Sequence, residues 1–69
     1  KVDRIIDFQL GLDRIDLAQI PLIGGMGDLT ITSRALGARI EAAGEVILIR
    51  TPDETPLDPA DFTERDFIF

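Results

Sequence analysis

Asp28-Leu-Thr-Ile-Thr-Ser33, Ala38-Arg-Ile-Glu-Ala42 and Val46-Ile-Leu-Ile49 are three short segments whose patterning decides the fold. In the first, Leu29 and Ile31 fall on one face and Thr30 and Thr32 on the other, the period of two expected of a half-buried strand. The second centres on Ile40. The third is apolar on both faces and rich in β-branched residues, as in a strand covered on two sides. Arg34-Ala-Leu-Gly37 and the region of Gly44 supply turns between them, so the three segments predict a meander with short connections. On either side of these segments, Pro21-Leu-Ile-Gly-Gly-Met-Gly27 is a glycine-rich loop and Thr51-Pro-Asp-Glu-Thr-Pro-Leu-Asp-Pro59 a proline-rich one. Asp58 before Pro59 is a good start for a brief helical turn, because proline is tolerated at the first helical position. Asp66-Phe-Ile-Phe69 reads as a last strand. The expected core is Ile5, Phe8, Ile15, Leu29, Ile31, Ile40, Val46, Leu48, Phe62, Phe67 and Phe69.

A chain of 69 residues is one domain at most, and at that size folding buries only about 60% of the surface the unfolded chain exposes. Domains so small lean on disulfides, a metal or a partner. Cysteine and histidine are both absent, which removes disulfides, thiolate zinc sites and imidazole ligands, so any metal here is a hard cation held by carboxylates. Calcium fits that description best. Thirteen acids against seven bases give a net charge of −6, the wrong sign for nucleic acid, where clustered bases must neutralise phosphates. The apolar run Val46 to Ile49 is far shorter than the roughly 20 residues of a membrane helix, so no membrane span is expected. A basic stretch followed by an apolar core, the mark of a cleavable signal, is not found in the opening residues.

The stretch from Val2 to Leu17 places Asp3, Asp7, Asp13 and Asp16 around Gly11 and interleaves them with Ile5, Ile6, Phe8, Ile15 and Leu17. It resembles the segment that follows the calcium-binding nonapeptide repeats in RTX (hemolysin-type) proteins secreted by Gram-negative bacteria. The likeness extends along nearly the whole chain, through Asp-Leu-Thr-Ile-Thr at 28–32, Val-Ile-Leu at 46–48, Asp-Pro-Ala-Asp-Phe at 58–62 and the Asp-Phe-Ile-Phe ending at 66–69. It departs from that pattern at Arg50 to Pro56, where Arg-Thr-Pro-Asp-Glu-Thr-Pro stands in place of a small glycine-containing turn. The resemblance implies an all-β cap, a short-strand meander or flattened sandwich over residues 1–69, that closes a parallel calcium-binding β-roll. The first strand and the apolar face of Val46 to Ile49 would stack on the last rung. Its partners would be upstream RTX repeats of the same parent chain and a type I secretion exporter, and its place the outside or surface of a Gram-negative cell. Asp3-Arg-Ile5 resembles the second half of the repeat Gly-Gly-x-Gly-x-Asp-x-hydrophobic-x, which implies that Asp3 is a calcium ligand shared with those repeats.

Spacing separates the remaining acids. Asp3 and Asp7 are four residues apart, about 13 Å along a strand, too far to share one ion unless the strand bends. Asp7 and Asp13 flank the turn at Gly11, which could bring them together as a second calcium pair. Asp16 is placed to accept backbone N–H groups at the turn that follows it. The ending Asp66, Phe67, Ile68, Phe69 resembles the acidic-then-apolar tails of serralysin-like type I substrates, which implies a secretion tail, and it is equally a strand closing the core.

Catalysis is not expected of this chain. Acid–base chemistry needs a pocket with a tuned group, and Ser33 has no histidine partner anywhere. Gly24-Gly25-Met26-Gly27 lacks the Lys-Ser/Thr of a phosphate loop. Any enzymatic activity would lie upstream in the parent protein. The alternative to the cap is an independent adhesion or surface-layer module that binds its partner through calcium or an acidic face.

Overall fold

In the computed structural model, which describes residues 2–69, the chain is all-β apart from three brief 3₁₀ turns. The strands are β1 (Val2–Ile5), β2 (Ile15–Asp16), β3 (Thr30–Arg34), β4 (Gly37–Ala42), β5 (Glu45–Arg50) and β6 (Phe67–Ile68). The alternating segments form an antiparallel meander β3-β4-β5, and β1 joins it in parallel with β5, giving a mixed sheet in the order β1-β5-β4-β3. Connections within the meander are two residues long. Ala43 and Gly44 both have positive φ, 52° and 79°, the pair of left-handed residues that matches a tight hairpin to the twist of its strands. Gly37 is required for a different reason: a Cβ there would collide with the Ile49 carbonyl oxygen.

Register sorts the side chains into two faces. Ser33, Ala38, Ile49 and Ile5 form one cross-strand row and Ile31, Ile40, Ile47 and Asp3 the next, both directed to the core side. The opposite side carries Thr32, Arg39, Leu48 and Arg4 in one row and Thr30, Glu41, Val46 and Val2 in another. Leu29 and Ile31 are half-buried while Thr30 and Thr32 are exposed, as the alternation predicts. On β5 the expected core residues Val46 and Leu48 are in the outer row and only half-buried; Ile47 and Ile49 are the buried pair. All four are apolar, so the period-two signal is silent about phase. The partner strand decides it, because the fully buried Ile40 stands opposite Ile47.

The inner sheet face is covered by the loops and the two-stranded parallel ladder of β2 and β6, in which Ile15 meets Phe67 and Asp16 meets Ile68. Phe8, Ile15, Leu17, Ile23, Phe62 and Phe67 pack with Ala38, Ile40, Ile47 and Ile49 into one core. All four phenylalanines join in a chain of ring contacts: Phe8 to Phe62 at 6.3 Å, Phe62 to Phe67 at 5.9 Å and Phe67 to Phe69 at 5.7 Å. Phe69, at the open end of that chain, is 37% exposed rather than part of the core. Leu17 and Ile23 are buried without having been expected there, since no periodicity marks a buried residue in a loop.

Candidate functional site

The aspartates are distributed as turn closures more than as a cluster. Asp13 Oδ2 accepts the Gln9 N–H at 2.8 Å, while the Asp13 N–H donates to the Gln9 carbonyl at the same distance, so residues 9–13 form a loop closed at both ends around Gly11. Asp28 Oδ2 accepts from the Gly24 N–H at 2.8 Å, and Asp61 Oδ2 from the Asp58 N–H at 2.9 Å. Asp16 accepts the Ala18 N–H at 2.9 Å, the turn role expected of it. In each case a short carboxylate satisfies a backbone donor that the irregular chain leaves without a ladder partner.

Asp3, Asp7 and Asp13 are positioned by different means. Asp3 stands on β1 at the end of the apolar row through Ile47, exposed at the sheet margin. Asp7 is exposed and sits at φ 62°, where the chain leaves β1 and bends toward Phe8, whose N–H returns to the Arg50 carbonyl at 3.0 Å. The bend that Asp3 and Asp7 would need to approach one ion is therefore located after Ile5. Asp13 has one carboxylate oxygen engaged by Gln9, leaving Oδ1 for another role. Calcium takes six to eight oxygens. Among the described residues no three acidic side chains are gathered in a way that could hold a metal. A calcium ion held by Asp3, Asp7 or Asp13 would need further oxygens from other groups.

The ending is built into the fold. Asp66 is 5% exposed, its Oδ2 accepting the Thr63 N–H at 2.8 Å, and Thr63 Oγ1 accepts the Arg65 N–H at 3.3 Å, a reciprocal cap on the turn Glu64–Asp66. Phe67 is buried, whereas Ile68 is 43% exposed; the Ile68 carbonyl accepts the Leu17 N–H at 2.7 Å. The atypical loop after Arg50 is likewise closed from within. Thr51 is buried and its Oγ1 accepts the Thr55 N–H at 2.8 Å, while Arg50 and Glu54 pair at 3.0 Å across the loop.

One feature escaped the reading of the sequence. Arg4, Arg34, Arg39 and Arg50, four of the seven bases in an acidic chain, share the outer side of the sheet. Alternation on β1 and β4 carries the signal, but only register reveals that the four arginines meet. Where β1, β5 and the 34–37 turn converge, Arg4, Arg34 and Arg50 rim a hollow of about 360 Å³ whose walls include Ile6, Leu36 and Leu48. A second hollow, of about 520 Å³, lies between the Gly11 loop and the Thr63–Asp66 turn. Its carboxylates, Asp61 and Asp66, already accept backbone N–H groups.

Comparison with known proteins returns no match, whether to a family model, a curated protein or a solved structure.

Proposed function

We propose that this chain is the C-terminal cap of an RTX-type secreted protein, ending a calcium-binding β-roll and helping it fold outside the cell. The observation that carries the reading is the position of β1. It is an edge strand, it runs parallel to its neighbour β5, and Asp3 lies on it in line with the apolar row of the core face. A β-roll grows by parallel addition, and an edge strand offers unpaired N–H and C=O groups to the next strand. β5 is bonded on both sides by β1 and β4, so the edge free to meet a further strand on this side of the sheet is that of β1. Asp3 would contribute a carboxylate to a calcium site whose other ligands come from the adjoining rung. Asp7 and the free oxygen of Asp13 would be available to a second, peripheral ion.

In this reading the secretion tail Asp66, Phe67, Ile68, Phe69 is recognised by a type I exporter before folding and becomes β6 afterwards. The low calcium of a cytosol leaves an incomplete site empty, and extracellular modules bind calcium at roughly 10⁻⁴ to 10⁻³ M, so folding is deferred until export.

The decisive experiment joins the chain to the sequence that precedes it in its parent and titrates calcium calorimetrically. Binding heat that falls in Asp3→Ala, with a calcium-dependent gain in β-signal, supports the cap. A junction that binds no calcium, or one with identical heats in Asp3→Ala, rejects it.

A further inference from the structure

We propose that the hollow rimmed by Arg4, Arg34 and Arg50 is a docking site for an extended acidic segment of another polypeptide, one carrying an aliphatic side chain beside its carboxylates. The inference rests on the end of the sheet where Arg4, Arg34 and Arg50 meet the 34–37 turn, and not on Asp3 or the unpaired edge of β1, so it stands or falls separately from the cap.

Charge is the first ground. The chain is acidic by six charges, yet this side of the sheet gathers four arginines and, among its strand positions, a single acid, Glu41, which pairs with Arg39 at 3.4 Å. Arg50 pairs with Glu54. Among the described residues no carboxylate lies within ion-pair distance of Arg4 or Arg34, so two guanidinium groups on the rim keep all five donors for a partner. Scattered charges on a strand face do keep a sheet soluble. That role does not require them to converge on an apolar hollow.

The apolar walls are the second ground. Ile6 is 63% and Leu36 43% exposed at this hollow, with the half-buried Leu48 below them, and a volume of about 360 Å³ lies at the lower end of the range for ligand pockets. An aliphatic side chain seated there covers Leu36 and Ile6, and flanking carboxylates reach Arg4 and Arg34. Arginine suits this task because its planar fork takes a carboxylate through two parallel hydrogen bonds. A nucleic acid would use the same charges without the apolar walls, and the overall charge opposes it.

The test uses the 69-residue chain and the peptide fluoresceinyl-Gly-Asp-Leu-Glu-Leu-Asp-amide, labelled on its N-terminal amine, followed by anisotropy and by amide chemical shifts. Saturable binding is expected, with shifts confined to 4–6, 34–38 and 48–50. The Lys-Leu-Lys-Leu-Lys counterpart should not bind. Arg4→Gln with Arg34→Gln should weaken affinity at least about tenfold, the consequence of losing roughly 1.4 kcal/mol. Leu36→Ser should weaken it severalfold with both charges intact, and it decides the matter should the double variant lose its fold. Unchanged affinity in a folded double variant overturns the proposal, as do unchanged affinity in Leu36→Ser, shifts located elsewhere, or equal binding of a dT12 oligonucleotide.

Discussion

The four-stranded sheet and the loop layer packed on it are held together in different ways. In the sheet, backbone groups pair with backbone groups, and the side chains are left to choose a face. In the loop layer the ladders are two residues long, and isolated backbone turn bonds are supplemented by carboxylates: Asp13 with Gln9, Asp28 with Gly24, Asp61 with Asp58, Asp66 with Thr63. An acidic composition is therefore partly a structural necessity of the irregular half. A carboxylate next to a glycine turn can serve as a cation ligand or as a backbone cap, and the two uses compete for the same oxygens. Asp13 shows how they can coexist, with one oxygen bound to Gln9 and the other free.

The sheet and the loop layer meet at an aromatic hinge. Phe62 touches Phe8 on one side and Phe67 on the other, so Phe62→Ala should cost about 3–5 kcal/mol. Followed by hydrogen exchange, it should release amides at 8–29 and 51–69 first. Simultaneous release of the β4 and β5 amides would mean that the two regions form one cooperative unit. On the sheet side, Gly37→Ala forces a methyl onto the Ile49 carbonyl, and the backbone displacement should cost about 3 kcal/mol in urea unfolding.

Caps rank next. Asp66→Ala leaves the Thr63 N–H without its acceptor and should cost about 2 kcal/mol; Asp13→Ala, at a more exposed turn, should cost about 1 kcal/mol. Both losses are expected in calcium-free buffer, measured by thermal or urea unfolding. A loss at Asp13 that appears only when calcium is present would assign that side chain to an ion rather than to Gln9. The smallest expected change is a gain. Ala43 occupies a left-handed position that asparagine tolerates better, so Ala43→Asn should stabilise the hairpin by about 0.5–1 kcal/mol.

The sequence revealed the sheet and concealed the site for related reasons. Leu29-Thr-Ile-Thr alternates, so its faces were readable; Val46-Ile-Leu-Ile does not, so its phase waited on Ile40 across the ladder. The parallel partnership of β1 with β5 has no local signature, since it depends on a long return of the chain. Asp58 was legible as the start of a turn because Pro59 follows it. The caps of Asp13 and Asp28 were not, because a carboxylate reaching back four residues leaves no composition mark distinct from a ligand pattern. The arginine-rimmed hollow was invisible for the same cause as the β5 phase: its residues come from β1, from the 34–37 turn and from the end of β5.

The two parallel pairings also govern when the fold can exist. Val2 finds its partner only at Val46, and Ile15 only at Phe67, so neither the first strand nor the loop layer can be completed from a nascent chain that stops short of them. Closures of this span are slow to form, because the entropy of bringing distant segments together is spent before any contact repays it. During synthesis the segment around Ile15 and Leu17 must therefore wait in solution until the residues near Phe67 have emerged. The order in which the chain is made is therefore not the order in which its architecture closes.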